Sequence, residues 1–262
     1  MPNNAKSADT KIIAICNQKG GVGKTTTALN LGVALRKMGK KVLLVDFDPQ
    51  GNLSTLLGYD DGDYTISHLM VSVIQEGNLD PKDVILHSDA NDVDYIPADV
   101  DLAEVEVNLF QALMRETVLA RSLDNDVVKG YDVVIIDCLP SLSMLLTNAL
   151  TVADYLLIPV QSQKLAVNGL DSLMKVFNSV KKQINHKIEL IGVLPTMVDG
   201  TKMSKDVIAI LTEKYGDKMF GTHISKAVAA AKIADTNVAL PLTNHKLGKE
   251  YTDLAKEVAE RL

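Results

Sequence analysis

Three short stretches carry residue types suited to phosphate and metal chemistry. In NQKGGVGKTTT (17–27), Gly20, Gly21 and Gly23 surround two lysines, Lys19 and Lys24, and Thr25 and Thr26 follow. Glycines let backbone N–H groups approach an anion, and a helix that starts at the same point adds positive potential. Lys24 is therefore expected to reach the β- and γ-phosphates of a nucleotide, and the Thr25 hydroxyl to bind Mg2+. In VVIIDCLPS (133–141), Asp137 ends an apolar run, where a second metal-holding carboxylate belongs. In VDFDPQGN (45–52), Asp46 and Asp48 end another. Ligands of open parallel sheets sit at the carboxyl ends of strands, so all three stretches point to one site.

The first stretch departs from the common phosphate-loop pattern G-x-x-x-x-G-K-[ST], which wants glycine where Gln18 stands. The glycines shift inward to Gly20 and Gly21 around Lys19, with Val22 between them and Gly23-Lys24. Lys19 is thus an extra cation in a loop that already has Lys24. A lysine that caps its own loop and one that serves another molecule look alike at this level.

The elements needed to position these residues are visible in the hydrophobic pattern. KIIAIC (11–16), KVLLVD (41–46), VDYIP (93–97), YDVVIID (131–137), YLLIPV (155–160) and IELIGVLP (188–195) read as strands. They are nearly continuous in Val, Ile and Leu, as expected of a parallel sheet covered on both faces. Helices are expected from Lys24 to Met38, where Gly39 ends the run, and over 100–122, 141–152, 166–184, 203–215 and 246–261. The Asp- and Gly-rich segment 51–92 is expected to be irregular, with one or two short helices. The fold class is α/β: a single domain over 11–262 with a mostly parallel twisted sheet and helices on both faces, preceded by a disordered tail at 1–10.

The 262 residues are 47% hydrophobic and 23% charged, ordinary for a globular chain. No apolar run approaches the about 18 residues of a membrane span. The N-terminus MPNNAKSADTK lacks the apolar centre of a signal peptide. Cys16 and Cys138 lie in apolar runs and read as buried thiols; there is no C-x-x-C for an iron–sulfur or zinc site. The five histidines (68, 87, 186, 223 and 245) are scattered and read as surface or structural residues. The net charge of −6 argues against a wholly basic nucleic-acid binder, yet it is uneven. Residues 160–262 carry 15 basic and 11 acidic side chains, whereas residues 1–159 carry 12 and 22. A basic patch on the C-terminal half and an ordinary solvated surface both fit that bias.

KGGVGKTTT, LLVDFDPQGN, IIDCLPSL and GVLPTMVD together resemble the ParA/Soj family of partition ATPases, in the deviant Walker A group that also includes MinD. The resemblance runs from about Lys11 to the C-terminus. It implies a P-loop ATPase that uses ATP and Mg2+, with slow turnover until a partner stimulates it. It implies that Lys19 reaches across a nucleotide-sandwich homodimer to phosphates in the other subunit. It also implies that Asp48 positions the attacking water, that Asp46 and Asp137 support the metal–water network, and that adenine packs near Thr196-Met197 and the region from Thr236 to Pro241. The partners it implies are a ParB-like centromere-binding protein and DNA bound without sequence preference, in the cytoplasm and on the nucleoid.

Two departures stand out. Relatives usually read Asp-Cys-Pro-Pro where this chain reads Asp137-Cys138-Leu139-Pro140, so that Leu139 replaces the first proline. Relatives often carry arginines on the DNA face; the matching segments here offer only Lys202, Lys205, Lys226 and Lys232. Lysines still contact phosphates as point charges. The last helix, KLGKEYTDLAKEVAERL, mixes both charge signs on its polar face, unlike a membrane-targeting helix. There is no added N-terminal helix-turn-helix segment, which argues against operator-specific binding. The rival readings are a MinD-like membrane-associated regulator and an ATP-switched regulator that holds a protein partner without DNA.

Overall fold

In the computed structural model, residues 10–163, 169–227 and 236–262 are described. The expected tail lies almost wholly outside them. Seven strands form one sheet: β1 (Lys11–Ile15), β2 (Val42–Phe47), β3 (Leu86–Ser88), β4 (Val93–Ile96), β5 (Val133–Cys138), β6 (Tyr155–Gln161) and β7 (Glu189–Thr196). Their spatial order is β3-β4-β2-β5-β1-β6-β7, and every pairing is parallel except β3 with β4. β1, β2 and β5 are central, and their C-terminal ends carry the glycine loop and the acidic residues. β2 and β5 run in a register that sets Asp46 beside Asp137.

Successive side chains of a strand point to opposite faces. Ile13 and Ile15 accordingly join one apolar layer, and Ala14 and Cys16 the other. The first layer is closed by α1 (Lys24–Lys37) and the last helix, α9 (Lys246–Arg261). Leu247, Tyr251, Leu254 and Val258 of α9 face the core, and its polar face is left to solvent. The opposite layer is closed by α3 (Ile66–Ile74), α4 (Leu102–Leu109), α5 (Val118–Leu123), α6 (Met144–Val152), α7 (Leu170–Gln183) and α8 (Lys202–Tyr215). The short α2 (Asn52–Leu56) follows the Asp48 loop.

Two expectations need correction. The single helix over 100–122 is two helices, α4 and α5, separated by a left-handed Met114 (φ 50°) and a 3-10 turn over Arg115–Thr117. Asn148 of α6 fixes the break: its Nδ2 donates to the Arg115 carbonyl at 2.9 Å, and its Oδ1 accepts from the Leu119 amide at 3.1 Å. Segment 51–92 holds the short helices expected of it, but also β3, an antiparallel edge strand of three residues. The remaining helices shift by a few residues at their ends; the start of the 166–184 helix lies partly outside the described residues.

Candidate nucleotide site

The chain leaves β1 at Ile15 and turns through Asn17–Gly23 into α1. Gly21 and Gly23 have φ of +71° and +90°, values a side chain rarely adopts. Nothing stands within 4 Å of where their side chains would be, so the loop's inner face is open. Asn17, not singled out from the sequence, braces the turn. It is buried; its Nδ2 donates to the Pro159 carbonyl of β6 at 2.7 Å, and its Oδ1 accepts from the Lys19 amide at 2.9 Å. Thr196, at the end of β7, donates from Oγ1 to the Val22 carbonyl at 2.8 Å. Thr196 therefore holds the phosphate loop, whatever it does for a base. Met197 follows in a left-handed conformation (φ 53°), with its carbonyl accepting from Ser162 Oγ.

Lys24 is buried, and its Nζ approaches the Lys19 carbonyl at 3.5 Å. Lys19 is half-buried and donates from Nζ to Gln161 Oε1 at 2.9 Å. It forms no ion pair among the described residues. Gln18, Gly20 and Gly21 are exposed, Val22 is buried, and Thr25 and Thr26 are half-buried at the head of α1.

The acidic residues differ sharply in how they are held. Asp46 is fully buried; its Oδ2 accepts from the Ser54 amide (2.8 Å) and hydroxyl (2.7 Å), and its Oδ1 from the Asp48 amide (3.2 Å). Burial pushes its carboxyl up to about 6 against the pull of those bonds. Asp48 has an exposure of 9% and its Oδ1 accepts from the Gln50 amide at 3.0 Å, while Oδ2 takes no hydrogen bond among the described residues. Asp137 is fully buried, and neither carboxylate oxygen has a hydrogen-bond partner among the described residues. Burial and the adjacent Asp46 raise its carboxyl well above the usual range; the nearby Thr25 hydroxyl and Lys24 ammonium favour the ionised form without completing a bond. An orphaned carboxylate beside a threonine hydroxyl and a second carboxylate fits Mg2+, which takes one or two carboxylates and completes its shell with water and phosphate oxygens. No cluster of three or more His, Cys, Asp or Glu suited to a metal exists among the described residues, so a metal here would depend on the nucleotide.

The turn beyond Thr236 sits against α1. Asn30, missed in the sequence, lies fully buried one and a half turns below the loop; its Oδ1 accepts from the Leu240 amide at 2.7 Å. Asn91, after β3, accepts from the Ala239 amide at 2.8 Å and donates to the Asn237 carbonyl at 2.9 Å. Lys37, at the end of α1, donates to the Pro241 carbonyl at 2.5 Å. These partners are 146 to 210 residues apart, and only a buried Asn in an otherwise apolar helix hinted at one of them.

Away from this site, Lys202 and Lys205 lie exposed in the first turn of α8. Lys226 is also exposed, and its amide bonds the Val198 carbonyl, which brings it to the same end of β7. Lys232 lies outside the described residues. Leu139, in place of proline, is packed into the core. No helix among the described residues is long and apolar enough to cross a membrane.

Residues 10–190 match a family profile described as an AAA domain. The chain is 41% identical over 252 residues to the sporulation initiation inhibitor protein Soj of Bacillus subtilis, covering 95% of this chain and 98% of Soj. It superposes with a TM-score of 0.80 and 32% identity on a Mycobacterium smegmatis structure described as cobyrinic acid a,c-diamide synthase with bound ATP analog and magnesium, covering 94% and 93% of the two chains. A Borrelia burgdorferi putative plasmid partition protein bound to AMPPNP superposes with a TM-score of 0.75 at 28% identity, covering 96% and 98%.

Proposed function

This chain belongs to the ParA/Soj family of partition ATPases, and from that premise we propose that it is an ATP- and Mg2+-dependent dimerising switch for DNA partition. The observation that carries the nucleotide reading is Asp137. A fully buried carboxylate with no partner is costly, and it sits where Lys24 and Thr25 converge. The proposed binding unit is residues 11–262, with ATP phosphates in the Gln18–Thr26 loop.

Lys24 faces the β- and γ-phosphates from within its own loop. Thr25 and Asp137 hold Mg2+, with Asp46 behind them. When bound, the metal neutralises charge on the β- and γ-phosphate oxygens. Asp46, tied three ways to Ser54 and Asp48, fixes the backbone on which Asp48 stands. The open Oδ2 of Asp48 accepts a hydrogen bond from the attacking water. Lys19, whose only side-chain partner among the described residues is a neutral amide, is placed to pair with phosphates held by a second subunit. Dimerisation then requires the triphosphate, because only it presents the extra charge. The base packs by Met197 and the turn over 236–241, where Asn30 and Asn91 fix the backbone.

The dimer carries its DNA face on Lys202, Lys205, Lys226 and Lys232, doubled by symmetry. A ParB-like partner stimulates hydrolysis and releases the dimer from the nucleoid. Light scattering of the purified chain with Mg2+ and ATP, ADP or neither, followed by pelleting with random-sequence DNA, tests this. The expected result is a dimer with ATP alone and DNA binding by that dimer alone. A monomer in every nucleotide state refutes the switch, and a dimer without DNA binding refutes the partition reading.

A further inference from the structure

The C-terminal end of β6 grips the glycine loop at two points. The Pro159 carbonyl accepts from Asn17, and the Gln161 side-chain oxygen accepts from Lys19 Nζ at 2.9 Å. Gln161 is itself fixed. It stands opposite Thr196 in the β6–β7 register, and its carbonyl accepts from the Gln163 amide at 2.7 Å. The next amide, that of Ser162, donates to the Thr196 carbonyl at 3.0 Å, and Thr196 donates in turn to Val22 of the loop. The Lys19 backbone is pinned as well, by its amide to Asn17. Between these two anchored points, the flexible four-carbon stem of Lys19 is the part able to move.

We propose that Gln161 is a positioning residue: it parks Lys19 in the unassembled subunit and sets how strongly a second subunit's phosphates must attract the lysine before it leaves. The inference rests on the switch reading above, in which Lys19 serves the other subunit, and adds a step to it. An ammonium tied to β6 of its own subunit has to give up Gln161 to reach out. A neutral amide suits that task. A carboxylate at the same place would make a bond charged on both sides, which is far stronger and competes directly with phosphate. An apolar side chain would leave the ammonium unheld. A face-to-face dimer uses two such lysines, so the release enters twice. A hold of about threefold per subunit therefore weakens assembly about tenfold. The same factor applies whichever nucleotide is bound. It removes dimers supported by weak contacts and spares those that the triphosphate supports.

Two variants of near-equal shape separate the roles. Gln161→Met keeps the length of the side chain and removes the acceptor; Gln161→Glu keeps the acceptor and adds a charge. The first readout needs no dimer. The nucleotide-free full chain is treated with an N-hydroxysuccinimide acetate ester, and acetylation of Lys19 is followed by mass spectrometry, with the exposed Lys202 as internal reference. Relative to wild type, Lys19 should react about threefold faster in Gln161→Met and at least about threefold slower in Gln161→Glu. The second readout is sedimentation equilibrium with Mg2+ and a saturating non-hydrolysable ATP analogue, so that nucleotide affinity does not enter. The dimer dissociation constant should fall about tenfold in Gln161→Met and rise at least about tenfold in Gln161→Glu. Misfolding would move both variants the same way, so opposite shifts report the hold on Lys19. Equal acetylation of Lys19 in all three proteins overturns the proposal, whether or not the chain dimerises. So does a Gln161→Met dimer weaker than wild type, which would make Gln161 a contact that aims the lysine within the dimer. A wild type that acetylates as expected but stays monomeric with the analogue overturns the switch reading, and the release step with it.

Discussion

Gly248→Ala separates a packing role from a merely permissive glycine. Gly248 lies in the first turn of α9, against the turn over Leu240–Leu242. A Cβ there would overlap the Leu240 carbonyl oxygen, stand 2.8 Å from its carbonyl carbon and 3.3 Å from Pro241 Cα. All three are backbone atoms, so no rotamer relieves the clash. The turn must retreat by roughly 1.2 Å for the Leu240 oxygen to reach ordinary contact distance. That movement stretches the 2.7 Å bond from the Leu240 amide to Asn30 beyond hydrogen-bond range. Leaving the buried Asn30 oxygen unpaired costs about 1–3 kcal/mol, and overpacking adds a comparable amount. Alanine's better helix propensity returns up to about 1 kcal/mol. A net loss of about 2 kcal/mol corresponds to a fall in melting temperature of roughly 4–8 °C for a chain of this size. The control is Gly221→Ala, whose Cβ would meet only Glu257 Oε1 at 3.8 Å. Differential scanning calorimetry with and without MgATP reads both effects: Gly248→Ala should melt earlier and gain less from nucleotide. If it melts with Gly221→Ala, the close approach does not constrain the turn. If it melts early but keeps the full nucleotide gain, the turn does not contact the base.

Lys24→Ala should abolish binding of a fluorescent ATP analogue, and wild-type affinity would refute the loop assignment. Lys19→Ala should retain binding within about tenfold yet give no dimer with ATP; a normal dimer by light scattering would place Lys19 in its own subunit. Asp46 carries a raised carboxyl in the folded chain, so the native state holds a proton that the unfolded state has lost. Its stabilisation is present below about pH 4 and is lost as pH rises through about 6. Between pH 5 and 7 the nucleotide-free chain should lose about 1.4 kcal/mol in urea unfolding from this group, and MgATP should flatten the slope by favouring the ionised form; a rise over that window refutes the burial argument. Lys202→Ala with Lys205→Ala and Lys226→Ala should weaken binding to every DNA sequence and flatten the salt dependence by about 0.9 per lost contact; strong binding that ignores them would move the DNA face elsewhere.

The central strands and the phosphate loop were readable because β1, β2 and β5 are buried on both faces and so nearly all apolar, and because Gly21 and Gly23 need a backbone that few other residues tolerate. The α4–α5 break was not. Val107, Phe110, Leu113 and Met114 continue a helical spacing, and periodicity does not say whether an apolar stripe meets core or water. The turn that interrupts it is imposed by Asn148, 33 residues away from the carbonyl it holds. β3 escaped for a different reason: three residues, one of them an exposed histidine, carry no alternation to read. Lys19 announced itself as a surplus charge, but its acceptor Gln161 is a neutral residue on another strand, 142 positions on. The general pattern is that backbone-driven features were visible, and side chains that reach across the fold were not.

Helix α1 touches the prospective ligand's surroundings at both ends. Its first residue is the glycine-loop lysine, Asn30 holds the turn over 240–242, and Lys37 holds it again from below. Six residues separate Lys24 from Asn30, about 9 Å along a helix. Under the proposed reading, α1 works as a caliper whose jaws are set by helical rise and not by loop flexibility. A single-residue insertion between Thr26 and Asn30 would rotate one jaw by about 100° while leaving each pocket's own residues intact. The same rotation would turn Leu31, Val33, Ala34 and Leu35 away from the core they fill, so the span between phosphate and base is locked to the packing of α1 against the sheet.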